Sequence, residues 1–208
     1  MQAKDAAREK GLAGSRAVIR SCAEATRAIH REEFDAAKKL LAQGEKMLAE
    51  MRRLMEGHPD ITYAGFLSDA EKEYAEAMVS LAVAHGDQIP SAEELEVDVA
   101  PYLNGLAEAI GEIRRSIVDQ LRIGRVEKCA PLLDTMDALY SGIVSFDYPE
   151  ALLLGLRRRT DLARSIIERT RHDVTHAIRQ DRLEATMKRL EGTLEGLGKT
   201  SSARGKEK

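Results

Sequence analysis

From Ala3 to Leu194 the apolar residues recur at three- and four-residue intervals, the spacing that lines one face of an α-helix. That period constrains the fold more than any other feature, because strands have little to work with. Aromatic residues make up 4% of the chain, tryptophan is absent, and Ala, Leu, Glu, Arg and Lys dominate a mixture that is 43% apolar and 32% charged. Such a mixture favours long amphipathic helices. With 208 residues the chain fits around one continuous core. The expectation is an all-α, single-domain bundle of about seven helices over 1–196, followed by a polar tail, 197–208, unable to bury apolar surface.

The helices can be placed from their stripes and breakers. The first is expected from Ala3 to Glu32, with Leu12, Ile19, Cys22, Ala25, Thr26 and Ile29 along one side. Phe34, Leu41, Leu48 and Met55 carry a second, stopped at Gly57-His58-Pro59. A third spans Tyr63 to His85, with Gly86 placed to cap it. In the connector to Asp98, Ser91 and Glu94 have the spacing of a capping box opening a short helix. A fourth, with Pro101 in its first turn, is striped by Leu103, Leu106, Ile110, Ile113, Ile117 and Leu121 and closed by Gly124. A fifth covers Val126–Val144, the SFDYPE segment turns, a sixth runs Glu150–Arg179, and a last runs Arg182–Leu194.

Several function classes drop out. No apolar run approaches the roughly 20 residues that span a bilayer, and the opening MQAKDAAREKG lacks the apolar stretch of a secretory signal. A cytoplasmic location without membrane contact is expected. Cys22 and Cys129 have no CxxC or Cys-His spacing and read as reduced, partly buried thiols. A net charge of -3 excludes a uniformly basic nucleic-acid binder but leaves local patches open. There is no glycine-rich phosphate loop and no GxSxG elbow.

Four constellations can carry chemistry. Glu73 and Glu76 stand at i, i+3 on the third helix, and Glu108 and Glu112 at i, i+4 on the fourth. Two antiparallel helices displaying these pairs could gather hard oxygen ligands for Mg²⁺ or Mn²⁺. Such spacings also arise by chance on solvated faces of a chain with 35 acidic residues. The helical wheel sets Glu73 and Glu76 beside their apolar stripe but Glu108 and Glu112 nearly opposite theirs, which makes the second pair surface residues in a monomer. On the first helix Arg16, Arg20, Arg27 and Arg31 fall within about 60° at 100° per residue, with His30 nearby, a row suited to phosphate or simply to water. Arg157-Arg158-Arg159 begins a basic run on the sixth helix whose intrahelical acids can neutralise it. His172 and His176, at i, i+4, could clamp a transition metal but lack the glutamate of HExxH and read more simply as a polar face.

Four segments taken in order resemble the translin superfamily, and within it the branch of translin-associated factor X (TRAX). They are SRAVIRSCAEATRAIHR, EYAEAMVSLAVA with its EYxEA motif, PYLNGLAEAIGEIRRSIV, and YSGIVSFDYPEALLLGLRRRTDLARSIIERT. The resemblance covers most of the chain. It implies a metal-dependent endoribonuclease of single-stranded RNA, with Glu73, Glu76, Glu108 and Glu112 as metal ligands or general base. The family's aspartate falls on Glu108, one methylene longer. The resemblance further implies a closed, largely helical barrel of identical subunits, commonly eight, with RNA inside and the arginines of the first helix near its backbone. In such a barrel a face that is outer in a monomer can line the cavity. The alternative from the same family is a non-catalytic binder of single-stranded RNA or DNA. A di-iron bundle is disfavoured because no Glu-x-x-His is present, and a structural adaptor remains a rival for which the carboxylates would be dispensable.

Overall fold

The computed structural model describes residues 2–55, 65–146, 149 and 153–204, and the side chains of 8–55, 65–146, 149 and 153–194. Among the described residues the chain is all helical. The elements are α1 (Gln2–His30), α2 (Phe34–Met55), α3 (Phe66–His85), α4 (Val99–Arg122), a 3-10 turn (Val126–Lys128), α5 (Cys129–Val144) and α6 (Leu156–Arg204). No helix among them is long and apolar enough to cross a membrane. Among the described residues there are six α-helices, and the expected sixth and seventh are one rod of 49 residues. Its polar stretch Arg179–Arg182 interrupts the apolar stripe, yet contains neither Gly nor Pro, so helix propensity carries the backbone through.

Several local expectations hold. Gly86 adopts φ 84° after α3 and its N–H donates to Ala82 O, the left-handed cap that glycine supplies without strain. Ser91 and Glu94 form the reciprocal capping box, Ser91 N–H to Glu94 Oε2 at 2.8 Å and Glu94 N–H to Ser91 Oγ at 3.2 Å. It opens a single turn, ended by Glu96 at φ 53°, instead of a helix. The fifth helix starts later than expected, at Cys129, after the 3-10 turn. Both cysteines are free and buried. The stop at Gly57-His58-Pro59, the expected start at Tyr63 and half of the SFDYPE turn lie outside the described residues.

The direction of the helices differs from expectation. α1 and α2 form an antiparallel hairpin, shown by Ser21 Oγ donating to Leu40 O and by Gly14 lying against Met51. α3 and α4 run in the same direction: Gly105 lies against Lys72 and Ala75, Glu108 takes the Lys72 ammonium, and further along Ser80 and Glu112 share one cavity wall. An antiparallel pair was the simpler expectation for consecutive helices. Residues 86–98, however, can reach about 40 Å when extended, enough to return along the roughly 30 Å of a 20-residue helix. α6 runs with α4 as well, since Asn104 meets Leu153 O, Glu108 meets Arg159 and Arg114 meets Thr170.

Two apolar clusters result. One joins α1, α2 and the first part of α3 through Val18, Cys22, Leu41, Leu48, Met51, Phe66 and Tyr74. The other joins α4, α5 and α6 through Leu103, Ile110, Ile113, Ile117, Met136, Ile143 and Ile167. α3 and α4 stand side by side where the two meet, and that seam holds the acidic residues.

Candidate functional site

A glycine sets the distance between α3 and α4. A Cβ on Gly105 would stand 2.7 Å from Lys72 O, 2.9 Å from Ala75 Cβ and 3.0 Å from Glu76 N. Only a bare Cα lets the backbones approach this closely, and the approach carries Glu73 and Glu76 onto the level of Glu108. Gly105→Ala is therefore expected to lower stability by about 1–3 kcal/mol, the usual range for overpacking, and to weaken divalent-ion binding in the same protein. Denaturant titration with and without Mn²⁺ checks both effects.

Glu73, Glu76 and Glu108 each offer a carboxylate oxygen, and these oxygens lie within 4.8 Å of one another. All three side chains are half-buried. Burial, and then the neighbouring charges of Glu73, Glu108 and Glu112, push the Glu76 carboxyl up to about 8. The same crowding acts on Cys22 of α1, whose thiol is pushed up to about 12, first by burial and then by Glu73 and Glu76. Glu108 is the opposite case. Burial would raise it, but hydrogen bonds from Lys72 and Arg159 outweigh burial and hold it below the usual carboxylate range.

Spacing does not single out Lys72, and it marks Arg159 only as part of the basic run. Lys72 Nζ lies 2.6 Å from Glu108 Oε2 and 3.0 Å from Glu73 Oε1, and its own side chain is only 15% exposed. Arg159 Nε donates to Glu108 Oε1 at 2.8 Å. Asn104, fully buried, holds that arginine by accepting from Nη1 at 3.1 Å while its amide donates to Ala100 O and Leu153 O. A lysine beside a glutamate looks like an ordinary solvated pair in sequence, and Arg159 sits in a run of three. Only the close parallel packing of α3, α4 and α6 turns them inward.

Glu112 stands one turn along α4 and belongs to a different contact. Its Oε2 accepts from His30 Nε2 at 2.5 Å, and this hydrogen bond, more than the opposing burial, keeps Glu112 below the usual carboxylate range. Glu108 and Glu112 are thus not the surface residues that the wheel places opposite the apolar stripe. The correction has a physical cause: α4 packs against α3, α5 and α6, and residues as diverse in phase as Leu103, Asn104, Gly105, Leu106 and Ala107 are all buried. A helix enclosed on several sides has no single outer face, and no oligomer is needed to shelter the pair.

Along α1, Arg16, Arg20 and Arg27 are exposed and have no ion pair among the described residues. Arg31 is exposed too, but its guanidinium is held by Glu33 through two hydrogen bonds. His30 is committed to Glu112. The basic run of α6 is not neutralised within the helix as expected: Arg159 pairs with Glu108 and Arg171 with Asp137 of α5, Asp173 takes Arg114 of α4, and Arg157, Arg158, Arg169 and Arg179 have no ion pair among the described residues. Within the helix Arg164 keeps an acidic partner, Glu168, and Arg169 donates to Ser165 Oγ. His172 and His176 are exposed, and no metal-competent cluster among the described residues includes them.

No protein-family model matches the chain. An uncharacterised protein of Methanocaldococcus jannaschii is 30% identical to it over 190 residues, covering 90% of this chain and 84% of the relative. Among solved structures, AfC3PO superposes with a TM-score of 0.78 at 30% identity, covering 86% of this chain and 93% of that one. A complex of AfC3PO with duplex RNA gives a TM-score of 0.78 at 29% identity, with 86% and 92% covered. The fold is shared with apo-NeC3PO, at a TM-score of 0.77, 21% identity and coverage of 85% and 92%.

Proposed function

We propose that this chain, which belongs to the translin superfamily, is a TRAX-type endoribonuclease that uses Mg²⁺ or Mn²⁺ to cut single-stranded RNA inside a homo-oligomeric helical shell. The observation that carries the reading is the convergence of Glu73, Glu76 and Glu108, from two helices, within 4.8 Å. Three carboxylates are the hard oxygen donors that Mg²⁺ and Mn²⁺ favour over softer metals. Such an ion, when bound, lowers the pKa of water and offsets charge on a phosphate. The family connection supports an RNA substrate, because AfC3PO has been solved with duplex RNA.

The chain's own residues divide the remaining work. Glu73, Glu76 and Glu108 would hold the ion, and Lys72 and Arg159 fix the position of Glu108. Glu112, kept ionised by His30, would accept a proton as general base. Arg16, Arg20 and Arg27, with Arg31 at the end of the row, would track the phosphodiester backbone. In this reading the protein is cytoplasmic, its shell is octameric, and single-stranded DNA binds through the same arginines. RNA incubated with the purified protein should be cut in Mg²⁺ or Mn²⁺ and left whole in EDTA; intact RNA in every metal would overturn the enzyme.

One observation favours the second reading, a non-catalytic strand binder: the Lys72 ammonium is already paired with both Glu73 and Glu108. The incubation just described separates the two. Both readings share a prediction for α1. Replacing Arg16, Arg20 and Arg27 together by Ala should flatten the slope of log affinity against log salt by about two, at roughly 0.7 per lost contact on a single strand. Filter binding across a salt series reads that slope, and an unchanged slope removes α1 from the interface.

A further inference from the structure

Beside the carboxylate cluster lies a cavity of about 380 Å³ that shares only the His30–Glu112 wall with the proposed cleavage site. It continues the seam between α3 and α4. Ser80 follows Glu76 by one turn, about 6 Å along the axis, and Ser116 and Gln120 follow Glu112 on the same face of α4. The His30–Glu112 pair forms the wall nearest the site. The volume falls at the small end of the range for small-molecule pockets, about 300–1,000 Å³.

Its lining has two characters. Ile29, Phe34, Val83 and Leu132 give apolar walls, and His85 braces the Phe34 ring edge-on at 5.2 Å between centroids. Against them stand two polar atoms with no partner among the described residues, Ser80 Oγ and Gln120 Oε1. Ser80 is only 6% exposed. Leaving such a group unpaired is costly, so an occupant that satisfies both is favoured over an apolar one. A phosphate is disfavoured, because Glu32, Glu112, Asp119 and Glu127 outnumber Lys128 and the Glu112-bound His30 around the cavity. What fits is a flat heterocycle with apolar faces and a hydrogen-bonding edge.

We propose that this cavity is a nucleobase pocket, which seats one base of the bound RNA strand against Phe34 with its polar edge on Ser80 and Gln120. The inference rests on the RNA reading above and adds a contact to the base that the backbone-tracking arginines cannot supply. It makes strand recognition dependent on one particular nucleotide beside the scissile phosphate.

The test uses the full chain in EDTA, where no strand is cut, and a short single-stranded RNA whose nucleotides are replaced one at a time by abasic analogues. Loss of one stacked, hydrogen-bonded base should weaken binding about tenfold at a single position and leave the others near neutral. In Phe34→Ala and in Gln120→Leu that positional penalty should shrink toward one. If strands abasic at every position bind as well as the intact one, or if both variants keep the full penalty, the pocket assignment is overturned while RNA binding stands. If intact RNA does not bind at any salt concentration, the RNA reading falls and takes the pocket with it.

Discussion

Replacing Glu76 by Gln is expected to lower metal-dependent RNA cleavage by about 100-fold or more, a floor taken from the 10–100-fold that even an outer partner of a metal ligand is worth. The substitution keeps the side chain's volume and removes its charge. Burial, and then the charges of Glu73, Glu108 and Glu112, raise the Glu76 carboxyl, so a dication that takes the place of its proton offsets the charge it then carries beside them. The fold should survive, because a neutral amide at this half-buried position avoids repulsion from Glu73, Glu108 and Glu112. Single-turnover cleavage of an unstructured RNA in Mn²⁺ measures the loss. Undiminished cutting by Glu76→Gln, or by Glu76→Ala combined with Glu112→Ala, removes the mechanism.

The second large effect is a coupling between pH, metal and stability. In the metal-free protein the Glu76 carboxyl sits near 8 against an ordinary value of 4.5. Between those values the folded chain holds a proton that the unfolded chain has released. The stabilisation from that proton is complete below about pH 4.5 and is lost as pH rises through about 8. Its size is on the order of a few kcal/mol after allowance for solvent screening, or very roughly 5–10 °C in melting temperature for a chain of this length. A divalent ion reverses the trend, since it binds the deprotonated form and drives the proton out. Adding Mn²⁺ should therefore raise the melting temperature much more at pH 8 than at pH 6. Glu76→Gln should lose both that metal response and the pH slope assigned to Glu76. Equal Mn²⁺ shifts at the two pH values would contradict the assignment of Glu76 as a ligand.

Much of the scaffold could be read from the sequence because it is specified locally. The Gly86 cap and the Ser91–Glu94 capping box each depend on residues within a turn of one another, and both appear as expected. The four glutamates could be singled out for a related reason: i, i+3 and i, i+4 spacing fixes a shared helix face wherever the helix packs. What escaped depends on distant partners. The common direction of α3 and α4 is set by how a long connector returns, and local periodicity contains no record of it. The inward turn of Glu108 follows from helices packed on several sides of α4, which a single-stripe wheel cannot represent. Lys72 and Arg159 act through Glu108 at sequence separations of 36 and 51; nothing next to Lys72 marks it as more than a solvated cation, and the basic run that contains Arg159 does not reveal its partner.

Gly105 joins these two levels. In sequence it is one glycine inside a helical stretch, a mild defect. In the fold it is a point of close approach between α3 and α4, level with the acidic cluster.

Anomalous diffraction from crystals of this protein soaked in Mn²⁺ addresses the chelation most directly. A peak enclosed by Glu73, Glu76 and Glu108, with Lys72 displaced from their oxygens, is the predicted result. Fully soaked crystals with no peak between α3 and α4, and Lys72 still paired with Glu73 and Glu108, would contradict it.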